Sequence, residues 1–229
     1  MSVCEKCKGT TWIIKTNDQG YDVATPCDCR EKVIALNLLA SSGISEEDSK
    51  KGFSGFNTFN EPILTGAKET AITYFQNFKN IEGERNNSIM LCGSSGRGKT
   101  TLGLAIANNL INSGVGVRYM PYRDVVTSLK QQLGSDNKYT YNDHMYRLKN
   151  ARVLFIDDLL KGKVTDSDIN IMYEVINYRY LQRKAVIIST EKTIEQLLEF
   201  DEAIGSRLIE MSKGYIITFD NSVPNYRLR

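Results

Sequence analysis

No apolar run in this 229-residue chain approaches the roughly 18 residues of a membrane-spanning helix, and its first residues lack the apolar stretch of a signal peptide. These absences predict a cytoplasmic protein with no membrane partner. An excess of either charge is missing too: 29 Lys and Arg stand against 27 Asp and Glu, a net +2. So balanced a chain generates no strong field for nucleic acid, and any such contact must be local. Internal repeats and low-complexity tracts are absent. The single histidine, His144, reads as a surface residue. Cysteine is scarce beyond residue 29, where only Cys92 remains of five. What is present, 41% hydrophobic residues, supports one domain of ordinary size plus a small appendage.

Cysteines Cys4, Cys7, Cys27 and Cys29 define the appendage. A C-x2-C paired with a C-x-C, in a chain without an export signal, favours metal over disulfides. About 30 residues cannot build a core without a staple, and zinc binding worth ~10–16 kcal/mol can offset that deficit. The expectation is a tetrahedral Zn2+ site with four thiolate ligands. Cys92 reads as a small buried residue.

Residues 30–42 read as a short amphipathic helix. The following segment, ISEEDSKKGFSGFNTFNE, is polar and suits a tether. Its Phe53, Phe56 and Phe59 either anchor it to the next domain or line an adenine pocket. The boundary is placed near residue 50, giving a zinc-binding module over 1–50 and a second domain over 51–229. From there helices alternate with short apolar strands: helices near 66–80, 99–113, 122–133, 167–183, 193–199 and 202–211, strands near 88–92, 116–120, 151–157, 185–190 and 215–219. This pattern predicts an α/β fold, a parallel sheet covered by helices on both faces. Tyr139, Tyr141 and Tyr146 fall in a polar loop and the helix that follows it.

The stretch Cys92-Gly93-Ser94-Ser95-Gly96-Arg97-Gly98-Lys99-Thr100-Thr101 fits the phosphate-loop pattern between a strand and a helix. Glycines let backbone N–H groups converge on phosphate oxygens, helped by the positive end of the helix dipole. The loop holds a polyphosphate: Lys99 then reaches its β- and γ-phosphates, the Thr100 hydroxyl ligates Mg2+, and Thr101 caps or packs the first helical turn. Further on, VLFIDD delivers Asp157 and Asp158 to the carboxyl edge of the sheet. Asp157 is the Mg2+ carboxylate and Asp158 stands where a water-activating acid is needed. A third apolar strand ends in Ser189-Thr190-Glu191. Inserted between the two motif strands, these residues either sense the γ-phosphate or simply form a turn.

Helix 167–183 and its flank mix Tyr173, Tyr178, Arg179, Tyr180, Arg183 and Lys184. That mixture fits either stacking against single-stranded nucleic acid or a core stripe with a solvated face, and Arg179 could instead face a neighbour's nucleotide.

Together GSSGRGKT, LFIDD, IISTE and Ile204-Gly-Ser-Arg207-Leu resemble the motifs of AAA+ ATPases, more narrowly the DnaC/DnaI-type helicase loaders and the related IstB transposition helpers. The cysteines resemble the zinc module of phage-type loaders, and the ending Asn225-Tyr-Arg-Leu-Arg229 is also similar to that group. The resemblance implies an AAA+ domain and an ATPase gated by homo-oligomer assembly and single-stranded DNA; as a departure from the family, the short stretch after the last strand leaves no room for a separate lid. Arg207 would be an arginine finger acting on a neighbour's nucleotide. It implies loading of a replicative hexameric helicase onto single-stranded DNA, with the zinc module as the grip. The alternatives are a transposition helper and a nucleotide-gated DNA-binding adapter with little hydrolysis.

Overall fold

The computed structural model describes residues 4–17, 19–30, 33, 37, 44, 45, 47–134, 138–220, 222, 223 and 225–228. Its smaller sheet is a hairpin, with β1 (Trp12–Thr16) antiparallel to β2 (Asp22–Pro26) and Trp12 opposite Pro26. Trp12, Ile14, Tyr21 and Val23 are all exposed on it. The helix expected over 30–42 lies outside the described residues apart from Arg30, Val33 and Asn37.

The larger sheet is parallel and has five strands: β3 (Ile89–Gly93), β4 (Val117–Pro121), β5 (Val153–Leu159), β6 (Val186–Thr190) and β7 (Ile216–Phe219). Their order is β4-β5-β6-β3-β7, so β6 does lie between the two motif strands. Because both faces are covered, the strands read as continuous apolar runs. On one face Ile89, Leu91, Phe155 and Ile187 pack against α1 (Pro62–Ile81) and α2 (Lys99–Asn112). On the other Met90, Leu154, Ile156 and Ile188 pack against α3 (Tyr122–Leu133), α4 (Lys138–Asn150), α5 (Asp166–Leu181), α6 (Ile194–Phe200) and α7 (Glu202–Met211). The close approach of α2 to the sheet demands Gly103, where an added Cβ would come within 2.4 Å of the Phe155 ring. No helix among the described residues is long and apolar enough to cross a membrane.

The segment before α1 is held rather than free. Asn108 on α2 donates its amide to Asp48 O at 2.7 Å and Lys51 O at 2.8 Å. Phe53 packs on Phe75, while Phe56 is buried against Tyr226. The aromatics anchor this segment. Tyr139, Tyr141 and Tyr146 all fall on α4, with Tyr139 and Tyr146 exposed and Tyr141 packed against the core.

Arg179 takes the core-stripe alternative. It faces neither DNA nor a neighbour but is fully buried, donating to Leu148 O, Lys149 O, Ala151 O and Ala185 O over 2.6–3.1 Å. Four carbonyl oxygens where α4 ends and β6 begins take up a planar fork of donors, which explains an arginine in the core. Burial, the dominant influence, pulls its guanidinium down to about 9.

Candidate nucleotide-binding site and metal centre

The phosphate loop joins β3 to α2 at the carboxyl edge of the sheet. Gly98 caps α2 in the left-handed region at φ 87°, where a side chain would be strained and its Cβ would press on Tyr226 and Phe56. Ser95, Gly96, Arg97, Gly98, Lys99, Thr100, Thr101, Asp158 and Tyr226 line one small cradle. Gly93 ends β3, and Ser94 O accepts a hydrogen bond from Lys99 Nζ at 2.8 Å. Lys99 is itself buried. That burial lowers its affinity for a proton, while Glu191 and Asp158 pull the other way. The Arg97 guanidinium donates to Val223 O.

Asp157 is nearly buried and takes three hydroxyl hydrogen bonds. Oδ1 accepts from Thr100 Oγ1 at 2.9 Å and Ser189 Oγ at 2.5 Å, and Oδ2 from the Tyr119 hydroxyl at 2.8 Å. Burial first, then the Asp157 charge, pushes the Tyr119 phenol well above its ordinary range. The Thr100 hydroxyl and the Asp157 carboxylate are adjacent hard oxygen donors at the start of α2. That donor set fits Mg2+.

Beyond Asp157 the pairing of β5 with β6 shifts register between Ile156 and Leu159. Asp158 adopts φ 56° and its N–H donates to Ser189 Oγ at 2.8 Å. The irregularity turns the Asp158 side chain into the cradle instead of the core. Its Oδ2 accepts from Lys161 Nζ at 2.8 Å, and Lys161 also reaches Glu191 Oε1 at 3.1 Å. Glu191 takes a further hydrogen bond from Ser95. Burial raises its carboxyl, but Lys161, Ser95 and Lys99 outweigh that and hold it below the ordinary range. Ser189 and Thr190 are completely buried, Ser189 behind Asp157 and Thr190 bonded to Leu159 O at 2.9 Å. Ser189 and Thr190 end β6, and Glu191, the residue after them, contacts the phosphate loop at Ser95.

Arg207 lies on α7. Its Nη1 donates to Ala203 O at 2.6 Å, and the guanidinium sits 5.4 Å from the centre of the Tyr173 ring and 5.5 Å from that of Tyr180. Among the described residues it makes no hydrogen bond to the phosphate loop. Tyr180 is further engaged by Glu210, Tyr178 by Asn150 and Arg183 by Gly83 O. These contacts knit much of the aromatic and basic mixture on α5 into the chain itself.

The four cysteine sulfurs all lie within 4.8 Å of one another, with Cys4 3.9 Å from Cys27 and Cys7 3.4 Å from Cys29. A tetrahedron with metal–sulfur bonds of about 2.3 Å has sulfur–sulfur edges of about 3.8 Å, so the set fits zinc. Cys4 and Cys7 sit in the turn before β1, and Cys27 and Cys29 just follow β2. Burial raises the Cys7 thiol, but the Cys29 sulfur and the Thr11 and Gly9 N–H groups outweigh it and favour the thiolate.

Tyr119, Lys161 and Tyr226 belong to the site but escaped sequence reasoning. Tyr119 is placed by the pairing of β4 with β5, Lys161 by a turn three residues past Asp158, and Tyr226 by the return of the chain end across the loop. The Tyr226 N–H donates to Gly96 O at 2.6 Å, its hydroxyl accepts from Asn57 N–H at 2.8 Å, and its ring stacks on Phe56. A position three residues beyond an acidic motif is the only one of these signals that is local in sequence.

Comparison with known proteins agrees with this geometry. Residues 56–210 match the family of IstB-like ATP-binding proteins. The uncharacterized protein YqaM of Bacillus subtilis is 40% identical over 99% of this chain and 71% of its own length. The phage-like element PBSX protein XkdC of the same organism is 37% identical over 98% of this chain and 86% of its own. The crystal structure of the DnaC helicase loader shares the fold, with a TM-score of 0.58 at 21% identity over 76% of this chain and 99% of that one. With its phosphate loop, paired aspartates and five-stranded parallel sheet, the chain belongs to the IstB-like ATP-binding proteins, on an AAA+ P-loop fold.

Proposed function

We propose that the protein is an ATPase that loads a replicative ring helicase onto single-stranded DNA, its cysteine module gripping the helicase. The observation that carries this reading is the four-sulfur cluster, which staples a hairpin with exposed Trp12, Ile14, Tyr21 and Val23 in the same chain as a nucleotide site. Four thiolates saturate zinc, so such a module binds a partner and performs no chemistry. Exposed apolar side chains on a rigid hairpin suit that task. The fold shared with a helicase loader supports the choice of partner.

At the nucleotide site the loop N–H groups and Lys99 bind the phosphates of ATP. Thr100 and Asp157 would hold Mg2+, which supplies positive charge to the β- and γ-phosphates. Asp158 accepts a proton from the attacking water, and cleavage of the terminal P–O bond leaves ADP and phosphate. Arg207 acts in trans: a neighbouring subunit's assembly would draw its guanidinium off Tyr173 and Tyr180 onto the phosphates. Single-stranded DNA and self-association are the expected triggers.

The test is capture of the host's replicative helicase by the full chain. The wild type should retain it, and the Cys27→Ser/Cys29→Ser variant should lose it with ATP binding unchanged. Equal capture by both would remove the module's role, and capture of a transposase instead would favour the transposition helper. The adapter reading has one observation in its favour, the ion pair that engages Asp158 with Lys161. Steady-state turnover with single-stranded DNA separates it from an active ATPase.

A further inference from the structure

Three charged side chains meet beside the cradle, and one of them, Asp158, lines it. Lys161 Nζ lies 2.8 Å from Asp158 Oδ2 and 3.1 Å from Glu191 Oε1, and each of the three side chains is 34–40% exposed. The carboxylates come from the ends of two different strands, β5 and β6, and Lys161 is the bridge between them. Glu191 also contacts Ser95 of the phosphate loop, and both acids act on the charge of Lys99. The trio therefore stands beside the end of the polyphosphate site where a γ-phosphate is received.

Stability does not account for the arrangement, because ion pairs this exposed contribute little. The backbone, moreover, is bent to produce it. Asp158 at φ 56° and Leu160 at φ 59° are non-glycine residues in the left-handed region, and the register shift of β5 against β6, between Ile156 and Leu159, spans the first of them. Strain of this kind persists only where surrounding packing fixes it, and here Leu159 and Leu160 are buried on the core side of the turn. The turn closes through Lys161 N–H to Asp158 O at 3.1 Å.

Two carboxylates facing an incoming triphosphate would repel it. One lysine shared between them halves their net charge, from −2 to −1, and holds both in place. Resting on the reading of this cradle as the ATP site, we propose that Lys161 is a positioning residue that neutralises Asp158 and Glu191 as a pair, so the site accepts the γ-phosphate. Its contribution is specific to the third phosphate, because it acts at the Asp158–Glu191 end of the cradle. Lys99 and the loop N–H groups hold the rest.

The experiment compares Mg2+–ATP and Mg2+–ADP affinities of the full-length wild type, Lys161→Ala, Lys161→Arg, Glu191→Gln and the double variant Lys161→Ala/Glu191→Gln, with thermal unfolding followed alongside. Lys161→Ala should weaken ATP about tenfold and ADP less than about threefold, the size expected for one added like charge at a solvent-screened site. Lys161→Arg should stay near wild type. Adding Glu191→Gln to Lys161→Ala should restore most of the lost ATP affinity, since the net charge of the cluster returns from −2 to the wild-type −1. Glu191→Gln alone should bind ATP at least as tightly as wild type, which keeps the proposal testable if Lys161→Ala folds poorly. Equal losses for ATP and ADP, no rescue in the double variant, or weaker ATP binding by Glu191→Gln would each overturn it. A wild type that binds neither nucleotide would instead overturn the ATP-site reading.

Discussion

Thr100 Oγ1 donates to Asp157 Oδ1 across 2.9 Å, tying the first turn of α2 to the end of β5. The phosphate loop and the acidic motif are thus one unit, and Mg2+ would enter between groups that already face each other. Asp157→Asn should weaken Mg2+-dependent ATP binding at least tenfold. Lys99→Ala should abolish it, with thermal unfolding little changed in either variant. Titration with ATP in Mg2+ and in EDTA checks this. Unchanged affinity in both variants would mean that the cradle is not the nucleotide site.

Arg207 rests on Tyr173 and Tyr180 and makes no hydrogen bond to its own phosphate loop. Arg207→Ala should bind ATP normally yet lose on the order of a thousandfold in turnover in the assembled state, because a finger in trans contributes only across an interface. Mixing it with Asp158→Asn subunits should regain part of the activity. No recovery in any mixture would make Arg207 a structural cation on α7.

Arg179 is a matter of stability and not of DNA. Its guanidinium serves four backbone carbonyls in a dry environment, so Arg179→Ala should destabilise the chain by about 3 kcal/mol or more, measured by urea unfolding. Weaker DNA binding by a fully folded Arg179→Ala chain would contradict the buried placement.

Asp168 caps α5, accepting the Thr165 N–H at 2.9 Å and Lys130 Nζ at 2.8 Å. Burial alone would raise its carboxyl, but these partners hold it below the ordinary carboxylate range. A depressed folded value gives stability that is full above the unfolded pKa of about 4 and is lost as pH falls through the folded one. Asp168→Asn should cost about 1–2 kcal/mol at neutral pH and reduce the loss of stability on acidification, read from unfolding midpoints between pH 7 and 3.

The parts of the site legible in the sequence were those whose signal is local. Apolar runs ending in GSSGRGKT, DD and STE announced strands with functional ends, and β6 lies between β3 and β5 as expected. Helix α5 shows the limit. Arg179 and Tyr173 share one basic and aromatic stretch, but the first is buried and the second 39% exposed, and composition does not tell the inner face from the outer. The hairpin β1–β2 was missed because its strands, WIIKT and DVATP, are almost wholly exposed and carry no clean inside–outside alternation. Tyr226 was missed for a different reason: it bonds to Gly96, 130 positions earlier, and nothing near it in sequence reports that.

The central claim is that this chain places a ring helicase on DNA, and a DNA circle without ends tests it most directly, because a closed ring cannot thread onto it unaided. Helicase bound to circular single-stranded DNA should be measured with and without the full-length chain and ATP. The account predicts that the chain raises helicase loading at least tenfold, that Lys99→Ala removes the gain, and that Cys27→Ser/Cys29→Ser removes it while still binding ATP. Loading that is unchanged by a chain shown to bind ATP would contradict the loader reading and leave the transposition helper or the adapter in its place.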